Sequence, residues 1–379
     1  MKRREFIKNM AVGVTALADI NCNGTRAQRI NQEEGTHARE SVGSGWDDGI
    51  GRPVRIVSIG FKEGTWPLER IAKTVDEEGA RRPDIITLPE LERGQDQASE
   101  EPLHGPTVSA MSRLAKKHKT YIACPIDRRD SEKRYNSVVL LDRSGNVACV
   151  YDKVFPYWGE YDVHPPVSPG DATRVYDADF GRVGFATCFD VNFPEVWRRL
   201  SDQGAEVVIW PSAYSAGISL QAHAINFHYY IVTCSQTPDC IAYDITGERI
   251  LYHRGAHNSN ISRITLDLDR CVFHENFNIS KRDKLLREHP EDVEQEKWMQ
   301  LEQWFVLRAK RPGVSARLLA SQYGLEELRH YISRSRLAID ARRGWEFEER
   351  IVFPEKSIEE LKALASETEI AKLPRSKRA

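Results

Sequence analysis

Between residues 53 and 270, short apolar runs and amphipathic stretches take turns along the chain, and this alternation restricts the fold more than any other feature. Residues 84–91 read DIITLPEL and residues 206–213 read EVVIWPSA. Both are near-continuous apolar runs of strand length, the pattern of strands covered on both faces. Residues 53–60 (PVRIVSIG) and 261–268 (ISRITLDL) alternate apolar with polar and also read as strands. Further strands are expected over 121–127, 135–142, 146–151, 174–178, 182–187, 229–235, 241–244 and 249–253. The turn Arg143-Ser144-Gly145 joins two of them as a hairpin, and Phe180-Gly181 joins another pair. Helices fall between the strands. Residues 65–80 place Leu68, Ile71, Ala72 and Val75 on one face, behind Pro67. Residues 106–118 do the same with Val108, Met111, Leu114 and Ala115, and residues 194–203 and 219–228 complete the set. The pattern predicts an α/β fold. It contains no internal repeat of 20–50 residues.

The ends differ from this middle. Lys2, Arg3, Arg4 and Lys8 precede a weakly apolar run that closes on Ala16 and Ala18. A basic start, a short apolar segment and small residues form an export signal over residues 1–27. The paired arginines followed by Phe6-Ile7-Lys8 have the form of the twin-arginine type, which exports folded proteins, so an extracytoplasmic location is expected. The run is too short to span a bilayer, and no membrane association is expected once the signal is gone. Residues 28–52 are polar and read as a linker. Residues 53–275 form the main domain. Beyond it the composition shifts: residues 280–344 are highly charged and read as helical, with few strand signals, and residues 345–379 read as a polar tail. Residues 276–379 are therefore expected to be a helical extension.

Composition excludes several classes. With 29% charged residues and a net charge of −2, nothing marks nucleic acid or an anionic membrane as a bulk partner. Seven cysteines include no CxxC pair, and their odd, scattered placement argues against a disulfide framework. His104, His118, His164, His223, His228 and His257 lack ligand spacing, so no metal site is expected.

Three stretches carry chemistry. Leu88-Pro89-Glu90 closes one apolar strand. Tyr151-Asp152-Lys153 leads from a hairpin into a loop, residues 152–170, that is rich in proline and aromatics and holds Tyr157, Trp158 and Glu160. Cys188 stands where the strand VGFAT breaks, just before a helix that opens with Pro194 and Glu195. Each reactive side chain lies at or beyond the C-terminal end of a strand, where α/β sheets place their sites. A thiol is mostly protonated at neutral pH and needs a base or a nearby cation to become a nucleophile. Glu90 can take its proton, and Lys153 can hold negative charge that appears on a substrate oxygen. Glu92-Arg93 beyond Glu90 reads as a solvated turn.

These motifs resemble those of the nitrilase superfamily of carbon–nitrogen hydrolases over residues 53–275. Glu90 matches that family's PE motif, Lys153 its lysine, Glu160 its second glutamate, and Cys188 in CFDVNFPEVW its nucleophile. The resemblance implies a four-layer α-β-β-α sandwich and pairing with a second copy, as a homodimer or larger homo-oligomer, through helices near the cysteine. It also implies no cofactor, and hydrolysis of a small-molecule amide, carbamoyl compound or nitrile through a covalent intermediate on Cys188. Phe189-Asp190 after the cysteine departs from the nitrilase type, which points to amides or carbamoyl compounds. Phe189, Asp190, Tyr157, Trp158 and Tyr214 are expected to contact the substrate. The family's RAxAxEN segment is replaced here by residues 221–228, QAHAINFH. A rival reading attaches to residues 316–339, whose two short helices around Tyr323-Gly324 resemble a helix-turn-helix with Arg329, Arg334 and Arg336 available for phosphates. Glu326 and Glu327 at the expected contact surface argue against it, and no nucleic-acid partner is expected.

Overall fold

The computed structural model describes residues 49–95, 99–161 and 163–344, all within a unit spanning Ser41–Ala379. The export signal, most of the linker and the polar tail lie outside the described residues. In chain order, β1 (Pro53–Phe61) is followed by α1 (Leu68–Gly79), β2 (Ile85–Thr87), β3 (Glu101–Pro102) and α2 (Pro106–His118). Next come β4 (Tyr121–Asp130), β5 (Lys133–Leu141) and β6 (Val147–Asp152), then a 3-10 turn at Trp158–Tyr161. The second half holds β7 (Val175–Ala178), β8 (Gly181–Phe185), a 3-10 turn at Cys188–Asn192, α3 (Pro194–Asp202), β9 (Val207–Ser212) and α4 (Ile218–Phe227). It continues with β10 (Tyr230–Ser235), β11 (Asp239–Tyr243), β12 (Arg249–Arg254) and β13 (Ser259–Asp267). The remainder is β14 (Cys271–His274), α5 (Ile279–Glu288), β15 (Val293–Met299), β16 (Trp304–Ala309), α6 (Ala316–Gln322) and α7 (Leu328–Arg343).

Two mixed sheets form the body. The first has the order β13-β1-β2-β4-β5-β6, with β3 added beside β4, and the second the order β12-β11-β10-β9-β8-β7. The last strand of the domain returns to the first: β13 pairs antiparallel with β1 from Pro53↔Asp267 to Phe61↔Ser259. Side-chain alternation then decides the layers. From β1, Val54 and Ile56 pack between the sheets with Val207 and Ile209 of β9 and Val232 of β10. The intervening Val57 and Ile59 pack outward against Ile71 and Val75 of α1 and Met111 of α2. On the second sheet, Val208 and Trp210 pack outward against Val196 and Leu200 of α3 and Leu220 of α4. The strands are thus buried on both faces, and the result is the expected α-β-β-α sandwich.

The extension departs from expectation. It contains the helices α5, α6 and α7, but β14, β16 and β15 also form a three-stranded antiparallel sheet. Its core includes Phe273 and Phe305, stacked at 5.3 Å, with Leu285, Leu307 and Ala316. β15 went unread because its sequence, VEQEKWM, is polar: it is an edge strand, mostly half-exposed, whose charged side chains face solvent and neighbouring ion pairs. β14 also lies inside the range 53–275, so the sheet straddles that boundary. Two of the three basic groups of the helix-turn-helix reading, Arg329 and Arg334, are engaged within the protein. Arg329 turns inward to the Ala205 carbonyl at 2.5 Å, and Arg334 forks Glu326 at 2.7 and 2.8 Å. Among the described residues no helix is long and apolar enough to cross a membrane.

Candidate active site

The C-terminal ends of β2, β6, β8 and β9 converge between the two sheets, and the residues singled out above lie there. After β2 the chain runs through Leu88 and Pro89 to Glu90, then turns through Leu91 in the left-handed region (φ 47°). Gln236, just past β10, donates to the Glu90 carbonyl at 2.8 Å and anchors this corner from the opposite sheet. Lys153 follows β6. Its N–H donates to the Asn136 carbonyl at 2.9 Å, and its carbonyl accepts from Gly170 at 2.8 Å, so both sides of its peptide are held.

The Lys153 ammonium sits between two carboxylates, 2.9 Å from Glu90 Oε1 and 2.7 Å from Glu160 Oε2. All three side chains are at most 3% exposed. Asn136 Nδ2 donates to Oε1 of both glutamates at 2.8 Å and so locks their spacing. Glu160 also accepts from the Tyr157 N–H at 2.7 Å and from Gln95 at 3.2 Å, which leaves it enclosed by donors. Glu90 differs: its Oε2 is buried and has no hydrogen-bond partner among the described residues. A buried carboxylate oxygen without a donor is costly to desolvate and is available to one brought by a reacting group. Burial alone would depress the Lys153 pKa, but Glu160, Glu90 and then Cys188 outweigh it and lift it well above the usual lysine range. An ammonium has three donors, and two are spent on the glutamates, so one remains for the cleft.

Cys188 is the first residue of the 3-10 turn after β8 and adopts φ 47°. For a residue with a β-carbon this left-handed backbone costs on the order of 1–3 kcal/mol, and the surroundings must impose it. They do so through two buried indoles. Trp210 Nε1 donates to the Cys188 carbonyl at 3.3 Å, and Trp197 Nε1 donates to the Asp190 carbonyl at 3.0 Å. The residue is 8% exposed. Its pKa is pushed up to about 12, first by burial and then by the Glu90 carboxylate, while Lys153 and the backbone N–H of Ala213 pull the other way. The resting sulfur is therefore a thiol, and its proton must leave as it attacks. Tyr214, which follows Ala213, is close enough to feel the charges of Cys188, Glu90 and Lys153.

Partly exposed aromatic rings surround this centre. Tyr157 meets Phe189 edge-on at 5.7 Å and Trp158 at 6.3 Å, and Phe189 meets Phe193 at 5.4 Å. Asp190 does not belong with them. It is fully buried, and both its oxygens are taken by Tyr151, Phe155 and Thr187, so the expected substrate contact is corrected to an internal brace. Glu92 is a second correction. It is not in a solvated turn but fully buried, with the Cys124 thiol 3.8 Å from Oε1 and, among the described residues, no partner on Oε2. Burial, then the nearby Glu101, raises its pKa well above the usual carboxylate range. Such a group stabilises the fold most below its unfolded pKa of about 4.3, and that contribution drains away as pH rises toward the folded value, at about 1.4 kcal/mol per unit. Glu92→Gln is therefore expected to raise the melting temperature at pH 7 and leave it nearly unchanged near pH 4. Thermal melts across that range check it, and equal shifts at both pH values would contradict it.

Asn136 and Gln236 were missed in the sequence. Asn136 had a faint signal, since it is an amide on the face of β5 that otherwise sends Val138 and Leu140 into the inter-sheet core. Gln236 had none, because its partner Glu90 lies 146 residues away. Among the described residues no group of three or more His, Cys, Asp or Glu is placed to hold a metal ion.

Comparison with known proteins agrees with this architecture. The carbon–nitrogen hydrolase family model matches residues 66–272. The chain is 32% identical over 130 residues to a deaminated glutathione amidase of Synechocystis, covering 28% of this chain and 45% of that protein. It is 32% identical over 157 residues to an N-carbamoylputrescine amidase of Solanum lycopersicum, covering 38% of this chain and 51% of that one. The chain thus spans about half the length of the curated relatives it matches. Among solved structures, an amidase of Nesterenkonia AN1 from the nitrilase superfamily superimposes with a TM-score of 0.50 at 18% identity, over 64% of this chain and 99% of that one, a likeness of fold. With the family model matched over more than half of this chain, and the sandwich fold shared with a solved amidase, this chain belongs to the carbon–nitrogen hydrolase family.

Proposed function

We propose that the protein hydrolyses a linear amide or N-carbamoyl compound through a thioester on Cys188. The observation that carries this reading is the buried Lys153 ammonium held between Glu90 and Glu160 and close enough to Cys188 to feel its charge. Glu90 Oε2, without a partner, takes the thiol proton as the sulfur attacks the carbonyl carbon. The third Lys153 N–H stabilises the oxyanion that forms. Collapse of this intermediate breaks the C–N bond, and Glu90 returns the proton to the departing nitrogen, which leaves as ammonia or an amine. Water then attacks the thioester, giving up a proton to Glu90 and releasing the acid and the free thiol. Glu160, enclosed by donors, orients Lys153 and has no oxygen left over for the substrate. The rings of Tyr157, Trp158, Phe189 and Tyr214 line the approach and favour a substrate with apolar surface next to the reacting group. Support for amide and carbamoyl substrates comes from the relatives named for them. Ammonia release from a panel of amides, N-carbamoyl compounds and nitriles tests the proposal. Turnover is expected on the first two classes, and turnover of nitriles alone would overturn it.

A further inference from the structure

The carboxylate of Asp190 spans the two halves of the site. Tyr151 and Phe155 flank Lys153 at two residues on either side. The Tyr151 hydroxyl donates to Asp190 Oδ2 at 2.6 Å, and the Phe155 N–H donates to Oδ1 at 2.9 Å. The Thr187 N–H, one residue before Cys188, donates to Oδ2 at 2.8 Å. Asp190 itself lies two residues after Cys188, and its N–H returns to the Thr187 carbonyl at 3.0 Å. The Thr187 bond alone would make Asp190 a local cap of the 3-10 turn. The other two bonds reach 39 and 35 residues back along the chain and join the turn to the segment that carries the lysine.

We propose that Asp190 is a positioning residue that sets the Lys153 ammonium against Cys188, by tying the Tyr151 hydroxyl on one side of the lysine and the Phe155 backbone on the other to the turn that carries the nucleophile. This rests on the roles proposed above for Cys188 and Lys153. The strand geometry supports it. Tyr151 and Lys153 are two residues apart and leave the end of β6 on the same side, with their α-carbons roughly 6.6 Å apart. On the opposite side Asp152 is gripped by Ser137 at 2.5 Å and Arg128 at 2.9 Å, so the segment can be registered to the nucleophile only through its inner face. The residue type also fits. Three donors converge on two oxygens, and a carboxylate accepts them all. An asparagine would set its amide N–H against either the Phe155 N–H or the Thr187 N–H. Burial pushes the Asp190 pKa up to about 6, against the opposing pull of Tyr151, Lys153 and the two backbone N–H groups, so at neutral pH the brace is in its accepting form.

The test compares Asp190→Asn and Tyr151→Phe with wild type and with Lys153→Met as reference, all checked for folding by circular dichroism. The first readout is the rate of alkylation of Cys188 by iodoacetamide against pH, followed on the Cys188 peptide by mass spectrometry. The second is kcat and KM on the best panel substrate. Tyr151→Phe removes one hydrogen bond of three and is expected to lower kcat about 3–10-fold with little change in KM. Asp190→Asn is expected to lower kcat about 100-fold, the scale of a displacement near 1 Å. Both variants, like Lys153→Met, should slow alkylation throughout the range pH 7–9, because a lysine held off register no longer favours the thiolate. Loss of packing alone would expose the sulfur and speed alkylation instead. If Lys153→Met moves the profile and both brace variants keep the wild-type profile and kcat, the brace is overturned while the functional reading stands. If Lys153→Met leaves the profile unchanged, the lysine's role fails and the brace fails with it. Should Asp190→Asn not fold, Tyr151→Phe alone decides.

Discussion

Cys188→Ala is expected to lower kcat/KM by at least about 10³-fold while leaving the protein folded. The two effects separate because the sulfur has little part in packing. Trp210 holds the Cys188 peptide through its carbonyl, and Trp197 holds the Asp190 carbonyl, so the turn is fixed by backbone contacts that alanine preserves. Alanine also takes the left-handed backbone at a cost similar to that for cysteine. The melting temperature should therefore move by no more than the few degrees that correspond to about 1 kcal/mol. Ammonia release and a thermal melt on the same preparation check both halves. Activity that survives the substitution would remove Cys188 as nucleophile. A collapse of stability would mean that the thiol is structural.

The second large effect is expected from Lys153→Met, on activity and stability together. The side chain is 1% exposed and neutralises two buried carboxylates, so its removal leaves uncompensated charge in the interior. Breaking such a pair from one side costs about 3–5 kcal/mol, and loss of the oxyanion contact costs about 10²–10³-fold in kcat. The pH dependence has a definite sign. In the wild type the folded Lys153 pKa is raised, so the stability it contributes is fully present below the unfolded lysine value and is lost only as pH rises through the folded one. Between pH 4 and 8 that contribution is flat. In the variant Glu90 and Glu160 are left in the interior without their cation. Adding Glu160→Gln to Lys153→Met removes one of the stranded charges and should recover part of the stability. Thermal melts of the single and double variants at pH 7 check this, and a double variant no more stable than Lys153→Met would contradict the ion-pair account.

The two variants address different parts of the geometry. Cys188 depends on a strained turn that the protein imposes through its backbone, whereas Lys153 depends on charge compensation. That difference is why one is expected to affect activity alone and the other both properties.

Much of the architecture was legible in the chain itself. Near-continuous apolar runs such as residues 84–91 and 206–213 can be satisfied only by strands covered on both sides, and the amphipathic stretches between them supply the outer cover. Glu90, Lys153 and Cys188 stand where strands end, and the structure brings those side chains within electrostatic reach of one another. The 3-10 turn and positive φ at Cys188 agree with a break between VGFAT and Pro194. What the chain could not convey is what depends on distant partners. Asp190 reads as a substrate contact because it is a carboxylate beside a nucleophile. Only folding brings Tyr151 and Phe155 to it and removes it from the cleft. Glu92 reads as a surface residue because its type is polar, whereas burial beside Cys124 and Glu101 is decided by how the segment after β2 folds back. Asn136 and Gln236 gain their roles from Glu90 and Glu160 across gaps of 24 to 146 residues. β15 pairs through its backbone, which every sequence carries alike, so polar side chains concealed it. Within residues 53–270, local pattern determined most of the strands and helices and which residues stand at the strand ends. Long-range hydrogen bonding and burial decided which of those residues face the cleft and which hold the others in place, because both depend on neighbours that only the folded chain supplies.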